Sequence, residues 1–438
     1  MDGTQASGTQ QDADIAELDL TPNHMPDDPG AISIAEYDVS DPTLFTRNRH
    51  LEFFARLRRE APVHYCPQSE FGPYWSISGY EDIKYVDTHH RIFSSEEGIT
   101  LSDQDEDFTL PMFIAMDPPR HEQQRKIVAP AVAGQNLRRL GELIRERAGR
   151  IMDELPVGEI FDWVDRVSIE LTAQMLATLF DVPLSDRRRL VRWSDMATTT
   201  PGAGLVDTEE QRRQELYECL DYFLNLWNQR LNTEPGHDLI SMLVHGEATR
   251  NMDRMEYLGN LLLLIVGGND TTRNSISGGV MAFNRYPEQL RKVRLQPELI
   301  PNMVSEIIRW QTPLAHMRRQ AVQDDRIGGR TIREGDKVIM WYVSGNRDER
   351  VFESPDDFIV DRPNARAHLS FGYGIHRCMG NRLAEMQLQI VWEEILKRFE
   401  KVELMGEPTR IHSQFINGYS HMPVRLHPLV NSEAVAAS

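Results

Sequence analysis

The sequence predicts a mainly α-helical fold with small peripheral β-sheets, and three observations predict it. Most of the chain between Arg138 and Phe399 carries apolar residues at spacings of three and four, the helical period. Short alternating runs are confined to Tyr74–Ser78, Arg330–Val343 and Phe415–Leu426, where Gly, Pro and Asp punctuate them as small strands. No internal repeat is present, so solenoids and propellers are excluded.

The helical segments follow in order as RRLGELIRERAGRIMDEL from Arg138, VSIELTAQMLATLF from Val167, EEQRRQELYECLDYFLNLWNQRL from Glu209 and ELIPNMVSEIIRW from Glu298. MDPPRHEQQRKIV adds a helix start marked by Asp and Pro. The segment from Tyr257 to Tyr286 predicts one helix of about 30 residues, roughly 45 Å long at the helical rise. A chain of 438 residues with 40% apolar composition can bury a large core, and its motifs lie along one continuous architecture. One domain is expected at 41–428, between a flexible acidic arm at 1–40 and a C-terminal tail at 429–438.

Composition also excludes partners. With 48 basic against 67 acidic residues the formal charge is −19, so a phosphate backbone is repelled on average and nucleic acid is not expected. The acidic first thirty residues have no apolar core of a leader, and the most apolar run, Leu261–Val266, is far short of a bilayer span; no membrane span is expected. Cys66, Cys219 and Cys378 are odd in number and widely spaced, against a disulfide framework or zinc site and in keeping with a reducing cytoplasm.

Cys378 stands out from the other two. It follows the turn Phe371-Gly372-x-Gly374 and precedes an amphipathic helix beginning near Gly380, where backbone N–H groups and the positive helix end favour a thiolate. An isolated cysteine is more often plain core. The run FGYGIHRCMG, however, matches at every fixed place the Phe-x-x-Gly-x-x-x-Cys-x-Gly haem-binding signature of the cytochrome P-450 superfamily, which this chain therefore resembles.

Other segments fall where that resemblance requires. Glu306 and Arg309 share a helical face in EIIR, a weak signal alone, but NRDERVFESPDDFIVDR follows and resembles the family's meander, which makes Arg362 the third member of a brace. The run Gly267-Gly268-Asn269-Asp270-Thr271 interrupts an apolar helix at a cost in propensity and resembles the family's acid-alcohol motif. Splitting dioxygen consumes two protons; by resemblance Thr271 holds the oxygen and Asp270 relays protons. His121 and Arg125, four apart, with Arg319 and His376, are the propionate donors the resemblance implies; Arg319 is preferred to Arg318 from its register with Ala321 and Asp324. Phe371, Cys378 and Gly380 complete the cofactor set, with Cys378 the axial metal ligand.

The resemblance runs from about Asp41 to Pro428. In LPMFIAMDPPRHEQQRK, LLLLIVGGNDTTRNSISGG and FGYGIHRCMGNRLAEMQLQIVWEE it extends to family 153, the bacterial hydroxylases of medium-chain alkanes and fatty acids. It implies the cytochrome P-450 fold, a triangular prism with a long central helix over haem b, and O2-dependent hydroxylation of the terminal carbon of an aliphatic substrate. Candidate pocket residues are Ile99, Phe113, Leu262, Val266, Gly267, Leu314 and Met317. No flavin or nicotinamide domain is recognisable, so electrons are expected from a ferredoxin and its NADH-dependent reductase, docking on Arg120, Lys126, Arg377 and Arg382. The alternatives are the same chemistry on an isoprenoid or sterol side chain, a non-enzymatic haem sensor or carrier, and a peroxide-driven reaction; the last two would not need the Asp270-Thr271 pair.

Overall fold

The computed structural model describes residues 24–429. The expectations for residues 1–23 and 430–438, including the absence of a leader or anchor there, lie outside the described residues.

The helices that build the site are α1 (Arg120–Val128), α2 (Gly134–Asp153), α3 (Glu170–Leu179), α4 (Arg187–Thr198), α5 (Glu209–Arg230), α6 (Arg254–Arg285), α7 (Ile300–Gln311) and α8 (Asn381–Arg398). α6 is the axis. It starts where the Asp253 carboxylate accepts hydrogen bonds from the Met255 and Glu256 amides, and it runs unbroken for 32 residues, about 48 Å. Leu258, Leu261, Ile265, Ile276 and Val280 are all buried, because α3, α4, α7 and α8 pack around it.

The main sheet has five strands, β1 (Val63–Cys66), β2 (Tyr74–Ile77), β3 (Phe93–Ser94), β4 (Met317–Ala321) and β5 (Lys337–Met340), in the order β1-β2-β5-β4-β3. β4 is the one that matters for the site, since it leads from the end of α7 into the cavity wall. A three-stranded sheet places Pro423–Pro428 between Ile160–Asp162 and Phe399–Leu404. Two strand expectations are shortened: Tyr342–Gly345 is a helical turn, and in the C-terminal run a lone bridge from Ile416 to Leu314 precedes the regular strand, which begins at Tyr419. Periodicity could not show either limit, since both runs pass from strand to turn without losing apolar residues.

The arm is shorter than expected. Within its described part, 24–40, Met25, Tyr37 and Val39 are buried in a cluster with Phe45, Phe53, Phe54 and Trp341, and the Met25 amide donates to Asp41 Oδ2 at 2.8 Å. Packing against the domain therefore begins well before residue 41, because three apolar side chains outweigh the acidic composition around them. Among the described residues no helix is long and apolar enough to cross a membrane.

Candidate active site

The cysteine loop is shaped by close backbone approach. Gly374 has φ +66°, and a Cβ there would stand 2.5 Å from the Asp87 carbonyl oxygen, so only glycine fits. The Cys378 amide donates to the Phe371 carbonyl at 2.8 Å, closing the loop, and Gly380 caps α8. Burial pushes the Cys378 thiol up, against the Gly380 and Asn381 amides and the charges of Arg125 and Arg377, which favour thiolate. Phe371 packs beside His368, with ring centroids 5.1 Å apart, and shares the cavity wall with Cys378 and Gly380.

Behind this loop the three brace residues meet. Arg309 Nε and Nη2 donate to the two Glu306 carboxylate oxygens at 2.7 and 2.8 Å, and Arg362 Nε reaches the same carboxylate at 3.0 Å. All three are buried, and the remaining guanidinium N–H groups go to the carbonyls of Asn346, Glu353, Ser354, Pro355 and Asp357. Such a network ties α7 to the meander in a single arrangement.

In front of Cys378 lies a cavity of about 580 Å³. Ile99, Phe113, Leu262, Val266, Gly267, Leu314 and Met317 all line it, so the candidate wall residues are brought together from four separate segments. Gly267 has nothing within 4 Å of where a Cβ would stand, which leaves the middle of α6 open to the cavity. Thr271 also faces inward, its hydroxyl donating to the Gly267 carbonyl at 2.9 Å.

Asp270 does not join Thr271 on the wall. Successive helical residues point about 100° apart, and the Asp270 carboxylate turns toward α4: Oδ1 meets Arg273 at 2.5 Å and Oδ2 accepts from Ser194 Oγ at 2.8 Å. Arg273 continues to Asp195 at 2.8 Å, whose side chain is 28% exposed. Burial raises the Asp270 pKa and Arg273 opposes the rise.

The four expected propionate donors cluster unevenly. Arg125, Arg319 and His376 line the cavity, whereas His121 lies behind His376 with ring centroids 4.2 Å apart. Both His121 ring nitrogens and His376 Nδ1 are buried without a hydrogen-bond partner; His376 Nε2 meets Ser95 Oγ at 3.0 Å. Burial, and the positive charge of Arg125, push His121 down to about 4; burial and Arg319 push His376 down to about 2. Arg319 is paired with the buried Asp87 carboxylate at 2.8 Å, while Arg318 turns away to Asp103 at 2.6 Å. Asp87 also accepts from Tyr342 Oη and the Tyr373 amide. Neither Asp87 nor Tyr342 belongs to a recognisable motif, and no sequence signal points to them.

A thiol at a helix start below a long apolar helix with an open glycine defines a haem-thiolate class of fold. The family model described as Cytochrome P450 matches residues 296–418. The structure resembles that of CYP153D17 from Sphingomonas sp. PAMC 26605, with 49% identity, TM-score 0.85, and coverage of 90% of this chain and 100% of that one. Linalool 8-monooxygenase of Pseudomonas putida is 35% identical over 89% of this chain and 99% of its own length. The methyl-branched lipid omega-hydroxylase of Mycobacterium bovis is 33% identical over 85% and 90%. The chain belongs to the cytochrome P450 superfamily and resembles family 153, and its cofactor is haem b. The site fits that group: orphaned imidazole nitrogens and two guanidinium groups on the wall suit its two carboxylates, and Cys378 Sγ opens to the same cavity.

Proposed function

We propose that this cytochrome P450 monooxygenase hydroxylates the terminal carbon of medium-chain alkanes or fatty acids, using O2 and electrons from a ferredoxin and its NADH-dependent reductase, in the cytoplasm. The observation that carries the reading is the wall facing Cys378: Phe113, Leu262, Val266, Leu314, Met317 and Phe415 offer an extended aliphatic chain apolar contact along its length. Terminal C–H bonds are stronger than internal ones, so walls that present only a chain end must overrule intrinsic reactivity. The likeness to family 153 and to a relative named an omega-hydroxylase supports the same position of attack.

Haem b supplies the oxygen-activating chemistry when bound. The chain's own residues do the rest. Cys378 would be the sulfur ligand, its thiolate form favoured by the Gly380 and Asn381 amides, while Arg125, Arg319, His376 and, behind them, His121 would hold the carboxylates. Gly267 leaves room on α6, Thr271 offers a hydroxyl to the cavity, and Asp270, held on its outer side by Ser194 and Arg273, would relay protons to Thr271 by rotating its carboxylate from α4 toward the cavity. Arg377, Arg382, Lys126 and Arg120 are exposed and form a basic dock for an acidic ferredoxin, although Arg120 is paired with Glu256.

A second reading has a specific observation behind it: linalool 8-monooxygenase, a terpenoid-acting relative by its name, is similar over almost its whole length. In that reading the chemistry is unchanged and the substrate is an isoprenoid. Turnover with NADH, ferredoxin and reductase on octane, dodecanoic acid and a branched terpenoid separates the two. Primary alcohol or omega-hydroxy acid from the linear chains is expected; oxidation of the terpenoid alone would replace the first reading with the second.

A further inference from the structure

The segment that brings Leu110, Met112 and Phe113 into the cavity wall is irregular until a single short helical turn at Phe113–Ala115. It has no strand partner to fix its height over α6. Two residues on α6, immediately before the apolar run Leu261–Val266, do this instead. Gly259 lets the segment in: a Cβ there would lie 2.2 Å from the Pro111 carbonyl oxygen. Asn260, fully buried, then accepts the Phe113 amide hydrogen on Oδ1 at 3.0 Å.

The other end of the Asn260 amide is also held. Its Nδ2 donates to Gln124 Oε1 at 3.3 Å, Gln124 Nε2 donates to Glu256 Oε1 at 2.5 Å, and Arg120 closes the chain on Glu256 at 2.8 Å. Gln124, Glu256 and Asn260 are all buried, an expensive choice in a helix interface that apolar side chains would fill. A network with both ends of the amide engaged gives the Phe113 amide one position rather than several. Phe113 in turn lies 6.5 Å from the His121 ring, between α6 and the cation cluster.

We infer that Asn260 is a specificity-positioning residue: without touching substrate, it sets through the Phe113 amide where the wall of Leu110, Met112 and Phe113 stands, and so which carbon of an aliphatic chain is oxidised. The inference rests on the reading of the cavity as a site for such chains. Gly259 is its steric counterpart, and the chain through Gln124 and Glu256 carries the restraint to the surface at Arg120.

The test uses holoenzyme with a ferredoxin, its reductase and octane, and reads the ratio of internal to terminal alcohols together with haem content from the reduced carbon monoxide spectrum. Asn260→Leu removes the acceptor at similar volume, and Gly259→Ala displaces the segment by contact; each is expected to raise that ratio about fivefold with haem content retained. Asn260→Asp, made together with Glu256→Gln so that the turned-over Gln124 amide donates to the new carboxylate and accepts from the new amide, keeps an acceptor for the Phe113 amide and is expected to stay within twofold of the unsubstituted enzyme. A ratio unchanged in both Asn260→Leu and Gly259→Ala overturns the inference, as does a shift in the double variant equal to that in Asn260→Leu. If Asn260→Leu fails to bind haem, Gly259→Ala and the double variant still decide it. The unsubstituted enzyme's own products test the terminal-hydroxylation reading separately, because the inference concerns the change in product position, whatever the starting ratio.

Discussion

The sulfur side of the cavity and its outer mouth are both held by ion pairs, yet of opposite kinds. Behind Cys378, Glu306 is shared by Arg309 and Arg362, all within a few per cent of complete burial. At the mouth, Arg213 on α5 joins Asp105, Asp107 and Glu209, acidic side chains that are 59%, 78% and 36% exposed, and lies over the Phe108 ring. Removing one partner of a buried network strands the others without water, which costs about 3–5 kcal/mol, whereas exposed pairs contribute roughly 0–1 kcal/mol. The contrast teaches a division of labour: the ligand loop is fixed, and the mouth is adjustable.

The largest effect that would break this comparison is at the brace. Glu306→Ala leaves two buried guanidinium groups facing each other, and a stability loss of about 3–5 kcal/mol by urea denaturation, with loss of haem retention, is expected. A loss under about 1 kcal/mol would place the brace in the same class as the mouth.

Between the two lies α6. Thr271→Ala removes the hydroxyl that faces the cavity while leaving the Asp270–Arg273 pair intact, so folding should be unchanged. Alcohol formed per NADH should fall roughly tenfold, equivalent to ~1.4 kcal/mol, with hydrogen peroxide accounting for the missing electrons. Unchanged coupling would remove Thr271 from proton delivery.

The smallest effect is expected at Arg213. Arg213→Ala should cost less than about 1 kcal/mol of stability and should weaken binding of short alkanes more than long ones, as the segment carrying Phe108 loosens from α5. Substrate titrations monitored by the haem absorption band check this; a stability loss as large as that of Glu306→Ala would show that the mouth is part of the rigid frame.

The same division explains what could be read from the chain. Cys378, Glu306, Arg309 and Thr271 lie in short motifs whose spacing reflects one loop or one helix turn, so local sequence carries them. The long helix was legible from apolar runs on both sides of the Gly267–Thr271 interruption, Tyr257–Val266 before it and Ile276–Phe283 after it. Asp87, Tyr342, Ser194 and Asn260 shape the site through partners more than 70 residues away, and no spacing records such a meeting. Asp270 illustrates the limit: the motif gives its place in sequence, but its direction toward α4 depends on Ser194 and Arg273. The seven candidate wall residues were reachable because they flank the motifs, while Phe108 and Phe415 come from segments with no signature.

The account stands on Cys378 as the sulfur ligand, and the reduced carbon monoxide difference spectrum measures that directly. The unsubstituted protein should give the thiolate band of the superfamily, and Cys378→His should keep haem but lose that band for the one typical of an imidazole ligand. A thiolate band that survives in Cys378→His, or that is absent from unsubstituted protein containing haem, would contradict the assignment.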